Sequence, residues 1–302
     1  MRFEALDGDV VEEGHTLDEL GQSLQGDQRE ADRQHQLDRP AQQAAGVRRV
    51  LADVEGLHEE GPGEPAQQHA GRQQEQYRSA PLRPAAFAGR SYEADSAKLK
   101  KQIDGFFTSK EGPDFKPSDN AGKLIKGLVA PTYDLKQAGP IYAWAYKQLQ
   151  EAVQPDVYVV IGTAYAGLDN LFAVTDKDFE TPLGVVKADR PLLAKIRERF
   201  PVAFEEDLCH QAEHAIEFQL PFLQDIVGKA KPFTIVPILC SFSALSVSEP
   251  AVLQQVVAFL DGLLEMLKAD GRSYCVIAAG ELAHLGMRYG DKEPPTDFSF
   301  HR

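Results

Sequence analysis

The sequence predicts a three-layer α/β/α sandwich with a central mixed, mainly parallel sheet, and three observations carry that expectation. Short Val- and Ile-rich runs recur at Leu124–Ala130, Val157–Gly162, Phe233–Cys240 and Tyr274–Ala279. They are apolar on consecutive residues rather than on alternate ones, as strands covered on both faces should be. Helical periods separate them, at Lys98–Phe107, Pro140–Ala152, Pro191–Phe200, Glu213–Val227 and Pro250–Lys268. Several of these begin with Pro in the first turn, where its missing N–H costs nothing. Strands alternating with helices call for helices on both faces of the sheet. Ligand sites in such folds gather outside the C-terminal ends of the strands, so the loops of interest are 131–139, 163–170, 241–248 and 280–291. Trp144, at helical spacing from Tyr142 and Tyr146, is expected to pack against the sheet.

Composition divides the 302-residue chain near residue 80. Residues 1–79 hold twelve Gln, seventeen acidic groups and eight Arg, with no Lys, and their only aromatics are Phe3 and Tyr77. Such a segment buries too little apolar surface to offset the roughly 1–2 kcal/mol per residue that backbone ordering costs. Residues 1–80 are therefore expected to be a disordered, low-complexity extension or the product of a wrongly chosen start site, with the folded domain spanning 81–302.

The formal charge of −14 excludes a nucleic-acid binder, which needs a basic face to displace counterions. Neither an apolar run of the ~18 residues that span a bilayer nor a secretion signal is evident, so the reading is a cytoplasmic protein with no membrane partner. Cys209, Cys240 and Cys275 are scattered; this fits neither a disulfide framework nor a paired zinc site, and Cys240 and Cys275 read as buried reduced thiols. No glycine-rich phosphate loop and no nucleophile elbow occurs.

The densest chemistry lies in Asp207–Leu223, where His210 and His214 are four apart, as are Glu213 and Glu217. On a helix each pair would share a face. His210-Gln-Ala-Glu-His214 also fits H-x-x-E-H, the pattern in which two histidines bind zinc and the glutamate activates water in a peptidase.

Read in order, the motifs resemble those of the Memo family, whose prokaryotic members are called AmmeMemoRadiSam system protein B. Arg83-Pro-Ala-Ala-Phe-Ala-Gly-Arg-Ser-Tyr92 is similar to the family's "RPPAVAGRFYP", and Glu180-Thr-Pro-Leu-Gly184 matches "ETPLG". Glu213-His-Ala-Ile-Glu-Phe-Gln-Leu-Pro-Phe-Leu-Gln224 resembles "EHSLEVQLPFLQ". Val236-Pro-Ile238 and Gly280-Glu-Leu-Ala-His-Leu-Gly-Met-Arg-Tyr-Gly-Asp291 resemble "VPI" and "SDLSHYGxRYGD". The resemblance implies a fold related to class III extradiol, non-haem iron dioxygenases. It also implies a pocket built from a "PHAGY" loop, a "GPSH" loop, the "SDLSH" loop and a C-terminal thiol or carboxylate.

The chain departs from the family at that pocket. It reads Pro131-Thr132-Tyr133-Asp134 in place of "PHAGY" and Gly162-Thr163-Ala164-Tyr165 in place of "GPSH". Neither Thr nor Tyr matches neutral imidazole as a ligand for iron, copper or zinc, because an alcohol must lose a high-pKa proton to coordinate well. The C-terminal portion of the family domain is expected to be missing or replaced. What the resemblance leaves is a degenerate pocket of Thr132, Tyr165, His210, His214, Glu281 and His284, with His284 as acid or base and Glu281 positioned to hydrogen-bond it. The expectation is a non-catalytic protein without cofactor that binds a small ligand or peptide there. Two alternatives stand beside it: a redox or dioxygenase-like enzyme holding Fe or Cu with His210, His214 and His284, and the zinc peptidase.

Overall fold

The computed structural model describes residues 66–116, 120–228, 231–242 and 248–281, with positions 287 and 292. The chain divides into two compact units, Met1–Leu57 and His58–Arg302, and the first lies outside the described residues, as does most of the expected extension. One described helix, α1 (Ala66–Ser79), precedes the boundary that composition places at 81. Its Tyr77 is buried, with the Lys177 ammonium 4.8 Å from the ring centroid. Lys177 Nζ in turn donates to the carbonyls of Arg78 and Ala80 at 3.1 and 2.6 Å.

The expected sandwich is observed. Eight strands form one sheet among the described residues: β1 (Leu82–Arg83), β2 (Gly127–Ala130), β3 (Val157–Thr163), β4 (Phe172–Val174), β5 (Asp178–Thr181), β6 (Gly184–Ala188), β7 (Thr234–Cys240) and β8 (Tyr274–Ala279). Their spatial order is β1-β5-β6-β7-β3-β8-β2, with β4 paired to β7. Only β5–β6 and β4–β7 run antiparallel. The first half of β7 pairs with β6 at Thr234 and Ile235, and its second half pairs with β4 from Ile238 to Cys240.

The four apolar runs became the parallel half of the sheet, β7, β3, β8 and β2, of which β2 is the edge strand with Val129 exposed rather than a strand covered on both faces. Strands β4, β5 and β6 escaped the sequence reading because they are short, three to five residues each, and because β5 and β6 interleave polar residues whose partners lie outside their own strand. Asp178 is buried on β5, yet it accepts from Lys187 Nζ at 2.8 Å and Ala188 N at 3.0 Å. Glu180-Thr-Pro-Leu-Gly184 is the β5–β6 turn. Gly184 takes φ 121°, a left-handed value that favours glycine, and Leu183 N donates to Thr181 Oγ1 at 3.0 Å.

One face of the sheet is covered by α2 (Ser96–Thr108), α3 (Leu135–Gln150) and the 213–227 segment, around Leu99, Ile103, Phe107, Tyr142, Tyr146 and Phe222. Phe222 stacks on Tyr142 and Tyr146, each at 5.2 Å. Fully burying one side chain of that size contributes roughly 1.5–3 kcal/mol. The other face carries α4 (Arg190–Arg199) and α5 (Pro250–Asp270), which place Leu192, Ile196, Val256, Phe259 and Leu263 against Val157, Val159, Val236 and Ile238.

Four details correct the sequence reading. Helix α3 starts at Leu135 rather than Pro140, because the Asp134 side chain caps it by accepting from Lys136 N, leaving Pro140 inside the helix. Trp144 is half exposed, with Nε1 donating to Glu111 O at 2.8 Å, so Tyr142 and Tyr146 alone line the core. Helix α5, with 21 residues, is long and apolar enough to cross a membrane by length and composition, although its Val256, Phe259, Leu263 and Leu267 are buried against the sheet. The helix expected from Glu213 to Val227 begins only at Glu217, as contiguous 3-10 (Glu217–Gln219), α (Leu220–Phe222) and π (Leu223–Val227) turns, and a separate 3-10 turn stands at Asp207–Gln211.

Candidate functional site at the C-terminal edge of the sheet

The broken 207–219 backbone has an identifiable cause. A continuous helix uses each carbonyl for the N–H four residues on, but here a guanidinium engages two of them. Arg83 Nε donates to His210 O at 2.9 Å, and Arg83 Nη2 donates to Glu213 O at 2.8 Å. The Glu213 carboxylate meanwhile receives the N–H groups of His214 and Ala215 at 2.7 and 3.2 Å. His210 and His214 consequently do not share a helical face.

The chain then folds hard against β3. A Cβ on Gly162 would stand 2.8 Å from the Ala215 Cβ, so only glycine allows segment 213–216 to press on the end of that strand. This contact brings His214 beside Tyr165. Their rings stack at 5.0 Å between centroids with 21° between planes. Phe87 meets His214 edge-on at 5.6 Å, and Phe218 tilts against it at 5.0 Å.

Thr132 follows β2 and Tyr165 follows β3, with β8 between those strands. Thr132 is fully buried, and its hydroxyl is bonded to the Tyr165 hydroxyl, which bridges the two loops. Burial pushes the Tyr165 phenol above its ordinary pKa, and the carboxylates of Glu281 and Glu213 act in the same direction. Glu281, after β8, is therefore close enough to be felt at this hydroxyl. Gln219 ties the floor together: its Nε2 donates to Pro131 O and Ala215 O at 2.9 and 3.0 Å, while its Oε1 accepts from Tyr146 OH at 2.9 Å.

Glu213 and His214 form the polar centre. Glu213 Oε2 accepts from Tyr165 N at 2.8 Å, and Glu213 Oε1 lies 2.9 Å from His214 Nδ1. The His214 side chain retains 24% exposure beside a carboxylate that is 6% exposed.

Of the residues singled out from sequence, Thr132, Tyr165 and His214 come together and Glu281 acts on them. His210 does not join them. It is buried with Nε2 3.1 Å from Ala173 O, and burial lowers its pKa to about 3, so it is a neutral core residue. The paired-histidine arrangement of the H-x-x-E-H reading is therefore not formed, because Arg83 draws the two residues onto separate turns. His284 lies outside the described residues. Phe87, Gln219 and the anchoring role of Arg83 were not singled out from sequence, although the Arg83–Tyr92 motif that carries two of them was visible.

A metal ion of the kind the dioxygenase-like reading implies does not fit the described residues. No three of His, Cys, Asp and Glu converge among them. The Thr132 and Tyr165 hydroxyls are bonded to each other, and the Tyr165 phenol is shifted away from the deprotonated form that coordination needs. The three cysteines are free; burial raises the Cys209 and Cys240 thiols to about 11 and Cys275 to about 12, so all are protonated at neutral pH.

Residues 83–298 match the family model described as Memo-like protein. A "MEMO1 family protein" of Ignicoccus hospitalis is 34% identical over 206 residues, covering 67% of this chain and 69% of that protein. Relatives carrying the same family name in Methanopyrus kandleri and Pyrococcus furiosus are 31% and 34% identical, covering 67% and 69% of this chain and 69% and 67% of their own lengths. The order of the Arg83–Tyr92, Glu180–Gly184 and Glu213–Gln224 motifs, the folding of all three around one sheet, and these matches lead to one conclusion: the chain belongs to the Memo family.

Proposed function

We infer that this Memo-family chain is a non-catalytic binding protein that takes a small ligand or peptide at the C-terminal edge of β2, β8 and β3. The observation that carries the reading is the hydroxyl pair at Thr132 and Tyr165. These residues occupy positions where the family motifs have imidazoles, and each hydroxyl now has the other as its partner. Around the pair stand groups suited to recognition: the half-buried ring of Phe87, the stacked rings of Tyr165 and His214, and the carboxylate of Glu281.

Metal analysis of full-length protein purified without chelator tests the non-catalytic half. The expected result is less than stoichiometric iron, copper and zinc, with no change in Thr132→Val or Tyr165→Phe. One tightly held transition ion that disappears in His214→Ala would overturn it in favour of the Fe or Cu enzyme. The binding half is tested by screening fragments and peptides against the labelled protein by NMR. Hits should perturb Tyr165 and His214 in wild-type protein and lose affinity in His214→Ala.

A further inference from the structure

We propose that α1 is a displaceable strap: its docking through Tyr77 and Lys177 holds the Asp207–Gln211 turn in place, and its release loosens Tyr165 and His214 at the site. The strap belongs to this chain rather than to the family fold, because α1 ends before residue 83, where the match to the family model begins. Its contacts involve no ligand, so it stands or falls separately from the binding reading above.

A 14-residue helix gains too little from its own hydrogen bonds to persist in water and must be held by what it docks on. From Arg72 onward, Tyr77 is the one buried side chain described on α1, whereas Arg72, Gln74, Glu75, Gln76, Arg78 and Ser79 are exposed. The Tyr77 hydroxyl has no hydrogen-bond partner among the described residues, so the ring carries the hold. The second hold is the buried Lys177. Its ammonium lies 4.8 Å from the Tyr77 ring centroid and donates to Arg78 O and Ala80 O at 3.1 and 2.6 Å. A cation there satisfies carbonyls that the end of a helix leaves unpaired. One ring and one ammonium are a small anchorage for about four turns of helix, and undocking is therefore a far easier opening than unfolding of the sheet.

Two routes join the strap to the site. Through space, Lys177 Nζ also reaches Asp207 Oδ2 at 3.4 Å, and Asp207 opens the 3-10 turn against which α1 lies. That turn presents His210 O to Arg83 Nε at 2.9 Å. Along the chain, Arg83 follows closely on Ser79, and Pro81 O is fixed between them by Asp178 N at 3.0 Å. Both routes meet at Arg83, whose Nη2 donates to Glu213 O at 2.8 Å. Glu213 accepts from Tyr165 N at 2.8 Å, and Tyr165 stacks on His214. When the turn moves, Arg83 loses an acceptor, and a buried guanidinium in that position must shift toward another. The coupling is reciprocal: capture of α1 weakens the site, and occupation of the site tightens α1.

Native-state hydrogen exchange on the full-length protein tests the strap. In wild-type protein the amides of α1 and of Asp207–Gln211 should open together, with one dependence on urea, and should exchange at least about tenfold faster than those of β3 and β7. Opening of α1 only with the whole sheet, or a different urea dependence for the two segments, overturns the proposal. Tyr77→Ala should leave β3 and β7 protected, remove protection from α1, speed exchange across 207–217 about tenfold, and shift the ring signals of Tyr165 and His214. Release of α1 with 207–217 and both rings unchanged overturns the coupling. Tyr77→Phe should behave as wild type, and loss of α1 in that variant overturns the hold assigned to the ring. Should Tyr77→Ala fail to fold, the wild-type exchange pattern and Tyr77→Phe still decide. A metal ion found at the site would defeat the binding reading and leave these exchange results as they are.

Discussion

Glu213 and Glu217 stand four residues apart in one motif, and the structure gives them opposite tasks. Glu217 is fully buried and receives Arg83, Tyr92 and the N–H groups of Ala86 and Phe87, the last two at 3.1 and 2.9 Å. Every donor comes from the Arg83–Tyr92 arm, so this carboxylate fastens the arm to the 213–223 segment. Glu213 receives backbone N–H groups and lies against a histidine that is still open to solvent. The comparison teaches that one buried carboxylate of this segment assembles the wall while the other lies against a ring that the wall leaves partly exposed. The arm couples the two tasks, because Phe87 lies on it and touches His214.

The strongest way to break the comparison is Glu217→Ala. It leaves the Arg83 guanidinium buried without its carboxylate, and a loss of about 3–5 kcal/mol in unfolding free energy is expected by urea denaturation. A loss below ~1 kcal/mol would mean that the arm is not held this way. Glu213→Gln should cost less, about 1–3 kcal/mol, since its backbone donors can still find an amide oxygen; a cost equal to that of Glu217→Ala would erase the distinction between the two residues. Gly162→Ala should also cost about 1–3 kcal/mol by overpacking against Ala215. It should additionally displace His214 from Tyr165, visible as altered ring-current shifts at both residues, and unchanged shifts would contradict the close approach.

A pH prediction sharpens the comparison through the other histidine of the segment. His210 has its pKa lowered from 6.5 to about 3 by burial, so the unfolded chain takes up a proton that the folded one refuses. Its stabilising effect is complete above pH 6.5 and is lost as pH falls towards 3. Between pH 6.5 and 5 this group should remove up to about 2 kcal/mol, at roughly 1.4 kcal/mol per pH unit. His210→Gln should flatten that slope, and an unchanged slope would show that the group titrates elsewhere. The smallest effect is expected for Tyr165→Phe, about 1 kcal/mol for a lost hydrogen bond at Thr132, measured by thermal unfolding.

The sheet centre was legible because Val157–Thr163, Thr234–Cys240 and Tyr274–Ala279 are covered on both faces and so carry their burial in consecutive apolar letters. The β4–β6 region was not legible, because β4 is only three residues long and because the buried Asp178 of β5 is polar in sequence and satisfied by residues nine to twelve positions away. Within the site, the replacement of imidazoles by Thr132 and Tyr165 could be read from motif position. Their bond to each other could not, since 33 residues separate them.

Local sequence thus determined the layered α/β architecture and the family motifs, because periodicity and turn chemistry act over a few residues. Tertiary structure alone decided the fate of Asp207–Leu223. Its letters suit a helix with His210 and His214 on one face, but Arg83, more than a hundred residues earlier, takes the carbonyls of His210 and Glu213. A buried guanidinium must find acceptors wherever the fold brings them, and that requirement turned one histidine into the core and left the other at the site.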